Sequence, residues 1–209
     1  MALDDIYDSI LGFDAERTSE LVRAELAAGT EVRAILDEAL IAAMDEVGAQ
    51  FSEGVLFVPE MLMAAMAMKA GLEILRPHLS ESEAKPAGVV VIGTVKGDMH
   101  DIGKSLVGMM LEGSGFQVID LGIDVPAERF LAAAEEHQAD IVGLSALLTT
   151  TMPAMQATVA RLRERNAGPR IIVGGAPVNR DFAQRIGADG YGEDAPGAVA
   201  LARRLVADR

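Results

Sequence analysis

The segment Gly97-Asp98-Met99-His100-Asp101-Ile102-Gly103 follows closely on the apolar run Ala87-Gly88-Val89-Val90-Val91-Ile92-Gly93. The run reads as a buried strand, and the segment after it as a glycine-rich turn with a histidine at its tip. An aspartate two residues before a histidine can orient and charge the ring, as carboxylates do beside metal-binding imidazoles. Gly103 lets the chain pack closely beyond the turn. Lys104-Ser105 comes next, yet the loop has neither Gly-x-x-x-x-Gly-Lys-Ser/Thr nor a clean Gly-x-Gly-x-x-Gly, so a phosphate cradle lacks its pattern. The plain alternative for His100 is a loop histidine satisfied by Asp98, with no further task.

The elements that must hold this loop follow from periodicity. Strand-like runs at 88–95, 116–121, 140–145, 170–174 and 188–191 alternate with helical stretches at about 103–113, 127–137, 153–166, 179–186 and 195–207. That alternation predicts an α/β domain over 86–209, a doubly wound parallel sheet of flavodoxin or Rossmann type. Such sheets bind ligands at the carboxyl ends of their strands, where His100 falls. Residues 1 to about 80 carry helical periodicity instead and predict a small bundle, a first domain over 1–85. Its expected helices are a short one at 4–11, one through Leu21, Val22 and Leu26 closed by Gly29, and one from Glu31 to about Val47. Thr30 is the expected N-cap of that third helix and Gly48 its end. A fourth helix is entered through Pro59 and runs to Arg76, where Pro77 stops it. The polar stretch 81–86 reads as a linker.

Within the fourth helix, Met61, Ala65, Met68, Leu72 and Leu75 form a heptad-like stripe that any bundle would bury. Leu62 and Met66 share a face with Lys69, Glu73 and Arg76, so the first two turns are apolar nearly all round. A cover over that end is expected, and methionine suits a bulky ligand or changing partners.

Composition narrows the classes. The 209 residues are half apolar, enough for a sizeable core, and the net charge is −14. A nucleic-acid reader needs a clustered positive footprint, and none is visible. Anionic membrane surfaces are disfavoured for the same reason. No run of 18 apolar residues occurs and the N-terminus is acidic, unlike a signal peptide. With no cysteine, disulfides, iron–sulfur clusters and cysteine-based zinc sites are excluded within this chain. The expectation is a cytoplasmic protein that binds neither nucleic acid nor membrane.

Ser145-x-Leu147 and Gly174-Gly175 stand at the ends of the third and fourth expected strands, facing the same crevice as His100. Together the Asp98-x-His100-x-x-Gly103, Ser145-x-Leu147 and Gly174-Gly175 set resembles the base-off/His-on cobalamin-binding domain. Gly48-x-x-Phe51-x-x-Gly54-x-x-Phe57-x-Pro59-Glu60, before a methionine-rich helix, resembles the helical cap that precedes that domain in methionine synthase. The same two-domain layout is that of the small corrinoid proteins of methyltransferase systems. The resemblance implies a cobalamin cofactor with His100 as the lower axial ligand of cobalt, Asp98 hydrogen-bonded to it, and Thr151 completing the relay. It also implies cofactor contacts along Gly97, Met99, Asp101, Ile102 and Gly103, and at Ser145, Leu147, Thr149, Gly174, Gly175 and Ala195. Tyr191 becomes a neighbour of the nucleotide tail. Phe51, Val58 and Met61 are placed over the upper face of the corrin.

The function so implied is that of a methyl carrier, non-catalytic alone, whose cobalt takes a methyl group from one protein and gives it to another. His78, beside Pro77, and His137, next to Glu135 and Glu136, read as surface residues, so nothing else in the chain is equipped for donor or acceptor chemistry. The implied partners are a substrate:corrinoid methyltransferase, a corrinoid:tetrahydrofolate or corrinoid:thiol methyltransferase, and a reductive activator. Three alternatives share parts of the pattern: a cobalamin-dependent sensor, the cofactor subunit of a B12 mutase, and a flavin-binding flavodoxin-like domain. The last leaves Asp98 and His100 without a role.

Overall fold

Residues 2–78, 86–164 and 168–208 are described by the structure, a computed structural model. They divide into two compact units, Met1–Pro86 with Glu112–Gly115, and Ala87–Leu111 with Phe116–Arg209. The expected linker, apart from Pro86, lies outside the described residues, as do the last expected helical positions 165 and 166.

The first unit is built from α1 (Ala2–Leu11), α2 (Ala15–Ala28), α3 (Val32–Ala34), a π-helical segment (Ile35–Ile41), α4 (Ala42–Ser52) and α5 (Val58–Leu75). Asp14 starts α2 by accepting the Arg17 N–H at 2.9 Å, and Gly29 ends it at φ 85°. A hydroxyl pair, Ser9 and Thr18 at 2.8 Å, fastens α1 to α2 inside the unit. The Glu60 carboxylate accepts the Phe57 N–H at 3.0 Å, and Pro59 occupies the first turn of α5. Ile6, Ile10, Val22, Leu40, Met44, Met61, Met68 and Leu75 are buried. Each such side chain contributes roughly 1.5–3 kcal/mol by leaving water. Gly71 keeps the helices close, since a Cβ there would stand 3.0 Å from Leu40 and 3.2 Å from Thr18.

Two expectations are corrected here. The third helix does not begin on a Thr30 cap: Glu31 occupies that position, and the Thr30 hydroxyl donates to Glu25 Oε2 at 2.5 Å. Nor does Gly48 end it. The helix passes through a buried Gly48 to Ser52, because the left-handed residue beyond its end is Gly54, at φ 74°. The π-helical segment is an interruption that the apolar spacing does not announce.

The second unit holds β1 (Val89–Thr94), α6 (Ile102–Gly113), β2 (Gln117–Asp120), α7 (Ala127–Glu136), β3 (Ile141–Ser145), α8 (Met152–Arg163), β4 (Arg170–Gly174), α9 (Arg180–Ile186), β5 (Gly190–Gly192) and α10 (Ala195–Ala207). All strand pairs are parallel, in the order β2-β1-β3-β4-β5. Alternation along the strands sorts the faces. Val91, Val142, Leu144, Ile171 and Val173 join Phe130, Met155, Val159 and Phe182 in one cluster beneath α7, α8 and α9. On the other face Gly190 meets Leu201 and Gly192 meets Ala198 of α10, and Gly108 of α6 lies against Val118. The chain therefore departs to opposite faces after β1 and β3, which opens a crevice between their carboxyl ends. Among the described residues, no helix is long and apolar enough to cross a membrane.

Gly93 tests this packing. A Cβ on it would sit 2.7 Å from Cζ of the fully buried Phe130. Gly93→Ala is expected to destabilise the protein by about 1–3 kcal/mol in chemical denaturation. Shortening the opposing ring with Phe130→Leu should recover part of that loss.

Candidate functional site

Asp98 follows a turn that needs a left-handed residue, and Gly97 supplies it at φ 86°. The turn puts the Asp98 carboxylate inside the protein with no exposed surface. Its Oδ1 accepts the His100 backbone N–H at 3.1 Å and lies 2.8 Å from His100 Nδ1. Its Oδ2 accepts the Leu147 N–H at 2.7 Å, the Leu148 N–H at 3.3 Å and the Thr151 hydroxyl at 2.7 Å. Burial alone would raise the Asp98 pKa. The bonds from the Leu147 N–H, the Thr151 hydroxyl and the His100 ring and N–H outweigh it and hold the carboxyl well below the usual range. Asp98 is therefore a buried anion, and it joins the loop after β1 to the loop after β3.

His100 is the exposed end of this arrangement, with half of its side chain open to solvent. A carboxylate at Nδ1 favours the tautomer protonated there and leaves Nε2 as the acceptor. Nε2 has no hydrogen-bond partner among the described residues. No three His, Cys, Asp or Glu side chains among them converge to hold an ion. One imidazole nitrogen offered from a fixed ring therefore suits a metal that arrives already chelated, as a corrin's does. The rim agrees in character: Met99, Ile102, Leu147 and Leu148, on the same two loops, all expose apolar side chains.

Three bonds that sequence spacing did not indicate steady the histidine loop. The Thr94 hydroxyl, at the end of β1, donates to the His100 carbonyl at 2.8 Å. Asp124, in the loop after β2, accepts the Gly97 N–H on Oδ1 at 2.7 Å, and its own N–H donates to the Asp98 carbonyl at 3.0 Å. Thr94 left a signal, as a polar residue closing an otherwise apolar strand; Asp124, 27 residues from Gly97, left none. Lys104, considered above as a phosphate contact, is buried and ion-paired with Asp120.

The sheet register also gathers residues that the sequence left apart. Thr94, Ser145, Gly174 and Gly192 are successive partners across β1, β3, β4 and β5, forming a row of small side chains at the carboxyl edge. The Ser145 hydroxyl has no partner among the described residues. Gly175, at φ 117°, sits where a Cβ would lie 1.9 Å from the Ala146 carbonyl, so the loop after β4 presses on the loop after β3.

Other expected residues fall elsewhere. Tyr191 pairs with Val173, and its side chain packs on the cluster beneath α7–α9, the face opposite the row; period-two alternation puts it there. Ala195 is buried in the first turn of α10, and Thr149 is exposed before α8. Asp101 and Gly103 are exposed beside His100. In the helical unit Phe51 and Val58 are half-buried, whereas Met61 has no exposed surface, as its place in the stripe requires. Leu62 is half-buried and Met66 exposed. His78 and His137 are both exposed.

Replacing Asp98 with Asn would turn an NH2 group toward donors that now meet a carboxylate. Asp98→Asn is expected to destabilise the apoprotein by roughly 2 kcal/mol or more, and Thr151→Val by about 1 kcal/mol, both read from thermal or urea denaturation.

Comparison with known proteins gives the family. Residues 88–200 match the B12 binding domain family, and residues 2–76 match a second family model also described as a B12 binding domain. The chain is similar to trimethylamine corrinoid protein 1 of Methanosarcina acetivorans, 43% identical over 203 residues, covering 95% of this chain and 94% of that protein. The methanol:cobalamin methyltransferase complex of Methanosarcina barkeri contains a chain that superposes with a TM-score of 0.88 at 34% identity, over 100% of this chain and 80% of that one. A cobalamin-binding protein of Desulfitobacterium hafniense gives a TM-score of 0.80 at 33% identity, over 97% and 98% of the two chains. Two B12 binding domain models that match most of the chain, and relatives that cover nearly all of it, place the protein in the family of B12-binding corrinoid proteins, with cobalamin as its cofactor.

Proposed function

We propose that this chain is the methyl-carrying subunit of a multi-component methyltransferase system, holding its corrinoid base-off with His100 Nε2 as the lower axial ligand of cobalt. The observation that carries the reading is the state of His100, whose Nδ1 is engaged by buried Asp98 while Nε2 remains open on an exposed ring. When bound, the corrin's cobalt supplies the centre that accepts a methyl group and later releases it.

The chain's own residues supply position and charge. Asp98 fixes the ring by its Nδ1–H and strengthens the imidazole as a donor to a metal. Leu147 N–H and Thr151 Oγ1 hold Asp98 in turn, so the ligand's orientation is set by the loop after β3. Ser145, whose hydroxyl has no partner among the described residues, and the Gly174-Gly175 pair, lacking side chains, suit the displaced benzimidazole tail. The apolar Met99, Ile102, Leu147 and Leu148 suit the macrocycle.

Donor and acceptor activation then belong to partners. Relatives named for trimethylamine and dimethylamine, and one solved with a methanol:cobalamin methyltransferase, support a substrate:corrinoid methyltransferase as the first. A corrinoid:tetrahydrofolate or corrinoid:thiol methyltransferase completes the transfer, a reductive activator restores oxidised cobalt, and the cycle runs in the cytoplasm.

Electron paramagnetic resonance of protein loaded with cob(II)alamin tests the ligand. Labelling the protein's histidines with 15N should convert the nitrogen triplet splitting to a doublet, and His100→Ala should abolish the protein-derived splitting. Methyl uptake from a cognate methyltransferase should fall roughly ten- to hundredfold in the same variant. A triplet indifferent to the label would mean that the cofactor's own base is still coordinated, and the reading would fail.

A further inference from the structure

Asp98 engages the His100 ring and its N–H through the same oxygen, Oδ1. That carboxylate sets the ring relative to its own backbone. Through Oδ2 it ties the ring to the loop after β3, and the carboxylate makes no bond to β1 itself. The His100 carbonyl has a separate anchor, the Thr94 hydroxyl at 2.8 Å.

Thr94 is suited to be a fixed point. It is the last residue of β1, with no exposed surface. Its N–H donates to the Gly122 carbonyl and its carbonyl accepts the Val125 N–H, both at 2.9 Å. Its Cα partner across the sheet is Ser145. A valine would serve a buried strand at least as well by packing, and a buried hydroxyl costs free energy unless it is bonded. The bond this hydroxyl makes is to the ligand residue.

We propose that Thr94 is a positioning residue for the cobalt ligand: by holding the His100 carbonyl to the end of β1, it sets the balance between His-on and His-off protein. The proposal rests on His100 ligating cobalt, as argued above. Without the anchor, the exposed stretch Met99–Asp101 has more arrangements open to it when the imidazole is released. The His-off state is then favoured while the corrin-binding surfaces remain.

The test uses the full chain reconstituted with cob(II)alamin, carrying Thr94→Val, Thr94→Ser or Thr94→Ala beside wild type and His100→Ala. The measurement is the ratio of nitrogen-split to unsplit signal at fixed pH, with hydrogen exchange of the apoprotein amides at 99–101 as a second readout. Thr94→Val is expected to lower the ratio about three- to tenfold, the range that one ordinary hydrogen bond commands. Faster exchange at those amides should accompany it. Thr94→Ser, which keeps the hydroxyl, should restore the ratio. If Thr94→Val does not fold, Ser against Ala gives the same comparison of hydroxyl present and absent.

A wild-type ratio in Thr94→Val, or in Thr94→Ala where Val does not fold, overturns the inference, as does a Thr94→Ser variant as impaired as the one lacking the hydroxyl. These failures are distinguishable from failure of the underlying reading. In the first, His100→Ala still abolishes the splitting; in the second, His100→Ala leaves it unchanged.

Discussion

The burial of one carboxylate organises this molecule's ligand surface. Asp98 has no contact with solvent, and an anion in that position persists only if enough donors replace the lost water. Five groups from the chain do so: the His100 N–H and ring, two successive N–H groups after β3, and the Thr151 hydroxyl. The donors come from two loops that neighbour each other only because β1 and β3 are adjacent in the sheet. Fold and site are therefore not separable. The strand order brings the donors together, and the donors make the charge tolerable. The charge, in turn, fixes an imidazole at the surface.

Parallel topology adds the space. Because the chain leaves β1 and β3 toward opposite faces, no connecting segment crosses between the loops beyond their paired carboxyl ends. His100 and the apolar Met99 and Ile102 come from one side of that crevice, and Leu147 and Leu148 from the other. The row Thr94, Ser145, Gly174 and Gly192 continues it across the sheet with side chains that shrink to nothing. The same surface offers a polar anchor at one place and room for a large flat ligand beside it.

Much of this could be read from residue order because it depends on local alternation. Five strands, five helices and the loop bearing His100 all follow from runs of apolar residues and the glycines that interrupt them. The Asp98–His100 and Asp98–Thr151 contacts were accessible through a resemblance that places known motifs at strand ends. What escaped depends on register or on distant loops. Tyr191 belongs to the opposite face because its partner is Val173, a fact of pairing and not of composition. Asp124 reaches Gly97 only once β2 lies beside β1. Gly48 resembled a helix end because glycine often is one, while the left-handed turn was left to Gly54. The π-helical segment at Ile35–Ile41 keeps Ile35, Leu36, Ala39 and Leu40 buried despite its wider winding, so the apolar spacing carried no mark of it.

Asp124 shows how narrow the choice at a single loop position becomes. It sits at φ 53°, accepts one N–H through its side chain and donates its own N–H to the Asp98 carbonyl. A left-handed backbone costs least for glycine, asparagine and aspartate and most for β-branched residues, and glycine has no acceptor to offer. The turn thus leaves two side chains, aspartate and its amide, able to meet both demands at once, while Ile123 next to it is exposed and makes no such bond.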